Sequence, residues 1–207
     1  MHIIIESHIP FIRGKVESLG HTAEYLAPED ITPQAVREAD ALIVRTRTRC
    51  NAELLEGSRV RKIATATIGT DHIDLDYCRR RGIEVHNAPG CNAPAVAQYV
   101  LASVAALCSP GVTIGIVGVG HVGRIVERWA LANGYKVLCC DPPRAAAEGA
   151  DGFVTLDEIA RRADVITFHT PLDSTTRHMA DAAFFNSLAK HPVVINAARG
   201  PIVDTPA

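Results

Sequence analysis

Aromatic residues are scarce in this sequence, at 5% with a single tryptophan, and net charge is nearly absent, with 21 Lys+Arg against 23 Asp+Glu. A protein that neutralises a nucleic-acid backbone carries a basic excess or a long basic stripe, so nucleic acid is not an expected partner. No apolar run reaches the roughly 18 residues that span a bilayer, which excludes a membrane helix from the expectations. The opening MHIIIESHIP has neither a basic leader nor a small-residue cleavage site, and a soluble, cytoplasmic protein is expected. The six cysteines, Cys50, Cys78, Cys91, Cys108, Cys139 and Cys140, include no C-x-x-C pair and no Cys/His ligand cluster. They read as free, mostly buried thiols, with no metal site. What is plentiful is apolar side chain, 47% of 207 residues, enough to close one large core or two small ones.

Short β-branched runs recur at His2 to Ile5, Ala41 to Arg45, Lys62 to Thr65 and Ile83 to His86, separated by stretches with helical spacing such as Pro33 to Asp40. The run Ala41-Leu42-Ile43-Val44 is continuously apolar, as a parallel strand covered on both faces must be. From Ala93 to Cys108 a long alanine-rich stretch without glycine reads as a helix linking two domains, stopped by Ser109-Pro110-Gly111. A second α/β series follows, with strands near Ile114 to Val117, Lys136 to Cys140, Val165 to His169 and Val193 to Asn196. The boundary is expected near residue 93, giving domains 1–92 and 93–207.

The strongest local signal is Gly118-Val119-Gly120-His121-Val122-Gly123, set between an apolar strand and a helical run. Gly118 suits the tight turn, Gly120 lets backbone approach a pyrophosphate, and Gly123 lets the helix pack closely on the strand. The backbone N–H of His121 and its neighbour Val122 join the anion-facing end of that helix. Eighteen residues past Gly123 the next strand ends in Asp141, where a carboxylate accepts hydrogen bonds from an adenosine ribose. That predicts NAD over NADP, although Arg144, three residues on, could greet a 2′-phosphate.

A complete small α/β domain followed by this glycine turn resembles the D-isomer-specific 2-hydroxyacid dehydrogenases. Further motifs carry the likeness: Ala66-Thr67-Ile68-Gly69-Thr70-Asp71-His72-Ile73-Asp74, Phe168-His169-Thr170-Pro171-Leu172 and Asn196-Ala197-Ala198-Arg199-Gly200-Pro201-Ile202-Val203-Asp204. Pro89-Gly90-Cys91-Asn92 and Asp141-Pro142-Pro143-Arg144 point, within that family, to the members acting on 4-phosphoerythronate. The resemblance implies a flavodoxin-like N-terminal substrate domain followed by a Rossmann NAD-binding domain. It implies NAD-dependent oxidation at C2 of a phosphorylated hydroxyacid, a step toward pyridoxal 5′-phosphate, with a homodimer at full length. Carried over by position, it makes Arg199 the catalytic, carboxylate-binding arginine, Thr46 and Thr67 substrate-binding hydroxyls, and Asp141 and Thr170 cofactor contacts. An arginine fork suits a planar carboxylate, which it grips bidentately. Two departures accompany the likeness. The connection Ser109 to Thr113 is short for the family, and the family continues well beyond the position of Asp204, where its catalytic glutamate and histidine lie. The chain is therefore expected to be the N-terminal part of such an enzyme, with a truncated nucleotide-binding sheet, and inert by itself.

Other residues invite weaker readings. Arg45, Arg47 and Arg49 alternate with Thr46 and Thr48, so at period two their guanidinium groups could share one side and meet a substrate phosphate. The plainer reading is a solvated charged loop. His72, His86, His121 and His169 titrate near neutrality, but none is assigned the acid/base role. Cys91 has no visible base partner and reads as structural. Two alternatives stay open: another phosphorylated hydroxyacid dehydrogenase, of the 3-phosphoglycerate type, and a non-catalytic NAD-binding module.

Overall fold

The computed structural model describes residues 1–206, which fall into two compact units, Met1–Cys91 and the described residues from Asn92 onward. The first unit carries five parallel strands, β1 (His2–Glu6), β2 (Thr22–Leu26), β3 (Ala41–Val44), β4 (Lys62–Thr65) and β5 (Glu84–His86), in the order β2-β1-β3-β4-β5. This is the flavodoxin-like order expected. Side chains alternate across the sheet, so Ile3 and Ile5 pack with Ile9, Val16 and Ala41 on one face while Ile4, Leu42 and Ile63 enter the opposite core. Two buried faces explain the unbroken apolar runs. Helices α1 (Ala52–Leu55) and α2 (Leu75–Arg81) start on side-chain caps, with Asn51 accepting from Leu54 N and Asp74 from Tyr77 N.

Two sequence expectations need correction. Pro33 to Asp40 forms only a short 3-10 turn over Ala35–Glu38, because Ala39 N bonds back to Val36 O and both residues are buried before β3 begins. Strand β2 was not foreseen. It lies at the sheet edge with Thr22 and Glu24 exposed, so its alternation lacks the apolar density of its neighbours.

The second unit opens with α3 (Ala93–Leu107), then β6 (Thr113–Val117), α4 (Gly123–Ala132), β7 (Lys136–Cys140), α5 (Pro142–Glu148), α6 (Leu156–Arg162), β8 (Val165–Phe168), α7 (Ala182–Asn186) and β9 (Val193–Asn196). Its four parallel strands run β7-β6-β8-β9. The chain steps outward from β6 to β7 and then returns past β6 to β8. That reversal opens a crevice beyond the carboxyl ends of β6 and β8, where ligands of such sheets bind. One face packs Ile114 and Ile116 against Ala97, Val100 and Val104 of α3 and Val126 and Ala130 of α4. The other packs Ile166 and Phe168 against Ile159, Ala160 and Ala163. Gly115 permits the second layer, because a Cβ there would come within 2.7 Å of Ile159 Cγ2. Helix α6 begins with a reciprocal cap, Thr155 Oγ1 accepting from Glu158 N at 3.2 Å while the Glu158 carboxylate accepts from Thr155 N at 3.1 Å. Among the described residues no helix is long and apolar enough to cross a membrane, and no three His, Cys, Asp or Glu side chains are grouped to hold a metal ion. All six thiols are free; Cys91 is exposed, whereas burial pushes Cys139 up to about 12 and Cys140 up to about 11.

Candidate functional site

At the switch point of the second unit the three glycines of the turn have separate mechanical roles. Gly118 adopts φ +89°, and a Cβ on it would lie 2.8 Å from the carbonyl carbon of His169 and 2.9 Å from Thr170 N. The turn therefore touches the chain leaving β8. A Cβ on Gly123 would lie 2.2 Å from Gly118 O, so α4 can start against the turn only as glycine. Gly120 has nothing within 4 Å of its added Cβ, leaving its backbone open to a ligand. The N–H groups from Gly120 to Gly123 precede the first bond of α4, Arg124 N to Gly120 O at 3.1 Å. With the helix dipole they form an anion-binding end.

Asp141 ends β7 and ties this turn down. Its Oδ2 accepts from Val119 N at 2.7 Å, and its Oδ1 caps α5 by accepting from Arg144 N at 3.0 Å. Each carboxylate oxygen keeps a further acceptor position. A cavity of about 840 Å³ opens beside these groups, lined by Gly118, Gly120, Asp141, Pro142, Thr170 and Met179 among others. His169 stands in its wall, with Nε2 3.0 Å from Thr167 Oγ1 and Nδ1 buried without a hydrogen-bond partner among the described residues. Burial lowers the pKa of His169 to about 4, so the ring is neutral at pH 7 and a poor proton acceptor. A cradle left open at Gly120, a run of N–H groups at a helix start and a buried ring nitrogen in the wall all suit a dinucleotide.

Of the residues singled out in the sequence, Gly118, Gly120, Asp141 and Thr170 meet at this cavity, and His121, Val122 and Gly123 form the start of α4 beside it. Thr170 Oγ1 lies 3.8 Å from Met179 Sδ. Arg199 does not line the cavity. It sits half-buried on the loop after β9, where Asn196 Nδ2 donates to Arg199 O at 2.8 Å and Asn196 Oδ1 accepts from Ala198 N at 3.1 Å, bracing the loop.

In the first unit Thr46 and Thr67 follow the adjacent strands β3 and β4 and so reach one carboxyl edge. The period-two reading of Arg45, Arg47 and Arg49 fails. Thr48 N bonds to Arg45 O at 3.2 Å, closing a turn that ends the alternation. The cause is Glu6, only 1% exposed, whose Oε2 accepts from Arg45 N at 2.9 Å and Thr48 Oγ1 at 3.0 Å. Neither Glu6 nor Thr48 was singled out in the sequence, although an acid directly after an apolar strand was a usable signal. Thr67 is also held from behind. Its hydroxyl donates to Gly69 O at 2.9 Å, so the 2.6 Å contact with Thr65 Oγ1 must use the Thr65 proton. His72 Nε2, 3.1 Å from Thr65 Oγ1, must then be the donor, which fixes its tautomer.

A family model described as "D-isomer specific 2-hydroxyacid dehydrogenase, NAD binding domain" matches residues 103–207. The chain is 49% identical to the erythronate-4-phosphate dehydrogenase of Bacteroides thetaiotaomicron, over 100% of this chain and 62% of that protein. It is 48% identical to the enzyme of that name from Chromohalobacter salexigens, over 100% of this chain and 56% of that one. Among solved structures, NAD⁺-bound 3-phosphoglycerate dehydrogenase from Entamoeba histolytica superposes with a TM-score of 0.86 at 26% identity, covering 100% of this chain and 74% of that one. D-lactate dehydrogenase from Aquifex aeolicus, complexed with NAD and lactic acid, gives 0.84 at 27% identity, covering 100% and 71%. The matched span takes in the glycine turn, Asp141, Thr170 and Arg199, and on that span this chain belongs to the D-isomer specific 2-hydroxyacid dehydrogenase family.

Proposed function

We propose that this chain serves NAD-dependent oxidation of 4-phospho-D-erythronate at C2, giving 2-oxo-3-hydroxy-4-phosphobutanoate on the way to pyridoxal 5′-phosphate. The carrying observation is the switch-point cavity, in which an open Gly120, the start of α4 and Asp141 face one space. NAD bound there supplies the acceptor for the hydride leaving C2. The N–H groups from Gly120 to Gly123, including those of His121 and Val122, hold its pyrophosphate, Asp141 takes a ribose hydroxyl, and Thr170 contacts it from the β8 side. Residues 93–207 thus form the cofactor domain and residues 1–92 the substrate domain.

Arg199 grips the substrate carboxylate with paired N–H donors and orients C2, as a rigid fork does better than an ammonium. Thr46 and Thr67 hydrogen-bond the substrate, with Thr67 held by Gly69 and Thr65. Neither His72 nor His169 takes the hydroxyl proton, which in this reading passes to the histidine that the family resemblance places beyond the position of Asp204. His72 Nε2 already donates to Thr65 and its other ring nitrogen, Nδ1, is buried, and His169 is too weak a base. A cytoplasmic location belongs to this reading, since NAD and a phosphorylated acid are both charged, water-soluble molecules. The outer face of α3, where Tyr99 is 64% and Leu107 65% exposed on a helix with no charged side chain, supports a homodimer.

The test is steady-state NADH formation by the full-length enzyme with 4-phospho-D-erythronate and with D-3-phosphoglycerate. The expected result is a clear preference in kcat/KM for the four-carbon acid. Preference for 3-phosphoglycerate would favour the other phosphorylated-hydroxyacid reading, which the Entamoeba likeness keeps in view. NADH binding with no turnover of either acid would favour a non-catalytic module.

A further inference from the structure

The glycine turn is held by a chain of side chains ending in a carboxylate that the reading above does not use. Val119 is gripped on both edges of its peptide groups: its N–H donates to Asp141 Oδ2 at 2.7 Å, and its carbonyl accepts from Arg144 Nη1 at 2.9 Å. Arg144 is in turn fixed by Glu148, one helical turn further along α5, through Nε to Oε1 at 3.0 Å and Nη2 to Oε2 at 2.6 Å. Its Cζ also lies 5.1 Å from the centre of the Phe153 ring. Arg124, in the first turn of α4, adds a third contact to Glu148 at 3.0 Å. Glu127 and Asp151 line the same small cavity of about 240 Å³ with Arg144 and Glu148.

We infer that Glu148 is a specificity-determining residue: by pinning and neutralising Arg144 it denies the adenosine end of the site a cationic fork, so the protein takes a dinucleotide with a free 2′-hydroxyl. This rests on the NAD reading above. Asp141 by itself does not settle the choice, because Arg124 and Arg144 both approach the turn that it holds. With Glu148 present, the two arginines are matched by two carboxylates. Three of the five N–H donors of Arg144 are already engaged, two onto Glu148 and one onto Val119 O. Without Glu148 the same arginine carries a free bidentate edge three residues from Asp141, which is the geometry a phosphate dianion selects. Glu148 therefore leaves the Asp141 charge as the dominant one toward the 2′ position.

The experiment is calorimetric titration of the full-length protein, stripped of bound nucleotide, with NADH and with NADPH. Wild type, Glu148→Gln, Glu148→Asp, Arg144→Ala and the Arg144→Ala/Glu148→Gln double variant form a cycle. Glu148→Gln should improve NADPH affinity relative to NADH by about tenfold or more, the worth of one charge-assisted contact. Glu148→Asp should keep the wild-type ratio. Arg144→Ala should leave that ratio within about twofold in wild type but abolish the gain in the Glu148→Gln background, and the gain should shrink at high salt because the Glu148 side chain is 46% exposed. A far-ultraviolet spectrum checks that each variant folds, and Arg144→Ala alone tests the silence of that arginine. Tight NADH binding with an unchanged ratio in Glu148→Gln, or a gain that survives loss of Arg144, would overturn the inference alone. Absence of NADH binding by wild type would overturn the cofactor reading and the inference with it.

Discussion

Replacing Gly123 by alanine, beside the same change at Gly120, separates the scaffold from the ligand-facing part of the glycine turn. A methyl on Gly123 would lie 2.2 Å from Gly118 O and 3.3 Å from Ile116 Cγ2. The oxygen belongs to a turn anchored by Gly118 N on Cys140 O at 2.8 Å and by Val119 N on Asp141 at 2.7 Å, so it cannot swing aside and α4 must shift. Overpacking of this kind costs about 1–3 kcal/mol. Alanine returns at most about 1 kcal/mol of helix propensity, less in a first turn. A net loss of about 1–2 kcal/mol corresponds to a fall in Tm of roughly 2–8 °C at this chain size. Gly120→Ala meets nothing within 4 Å, so its Tm should stay within the roughly 0.5 kcal/mol typical of neutral surface changes. Its methyl nonetheless stands where a pyrophosphate must approach backbone, and NADH affinity should fall by about tenfold or more. Thermal unfolding followed by circular dichroism, with NADH titration of each folded variant, reads both effects. A Gly123→Ala protein as stable as wild type would refute the steric argument, and a Gly120→Ala protein with normal NADH affinity would remove the ligand from that turn.

Three further outcomes are expected. Asp141→Ala should cost about 1 kcal/mol through the lost cap of α5 and should narrow the preference for NADH over NADPH in titration; a wild type that binds NADPH more tightly would show the carboxylate has another job. Arg199→Lys in the full-length enzyme should lower kcat/KM far more than it weakens NADH, and a change below about fivefold would deny it a buried charge-assisted contact with substrate. His169 has a folded-state pKa near 4, below the ordinary 6.5, so its contribution to stability is complete above about pH 6.5 and is lost as pH falls from there toward 4. His169→Gln should flatten denaturation midpoints across that window, and an unchanged pH slope would place the sensitivity elsewhere.

Both α/β series, the long helix α3 and the turn from β6 into α4 were legible in the chain because periodicity and glycine spacing are local properties. Asp141 was legible as a strand-ending acid, whereas Arg199, Thr46, Thr67 and Thr170 were named only through the family resemblance. Edge strand β2 escaped because Thr22 and Glu24 face outward and dilute its pattern. The alternation at Arg45 to Arg49 misled because the residue that bends it, Glu6, lies 39 positions from Arg45 in the chain and meets it only across the paired strands β1 and β3.

The sequence by itself determined where every strand but the edge strand β2 lies, where the glycine turn falls and which acid follows it, since each depends on residues within a few positions of one another. Tertiary structure alone decided what those residues do to each other. Gly118 fits because the chain after β8 leaves no room for a Cβ there, which would lie 2.8 Å from the carbonyl carbon of His169, Thr67 is aimed by Thr65 and Gly69, and His169 is neutral because it is buried. Arg144, ambiguous as a letter three places after Asp141, is resolved by where its guanidinium goes, to Glu148 and Val119. The physical reason is common to all of them: periodicity is a property of one segment, whereas a hydrogen bond, a steric limit or a desolvated ring requires a partner that only the fold brings near.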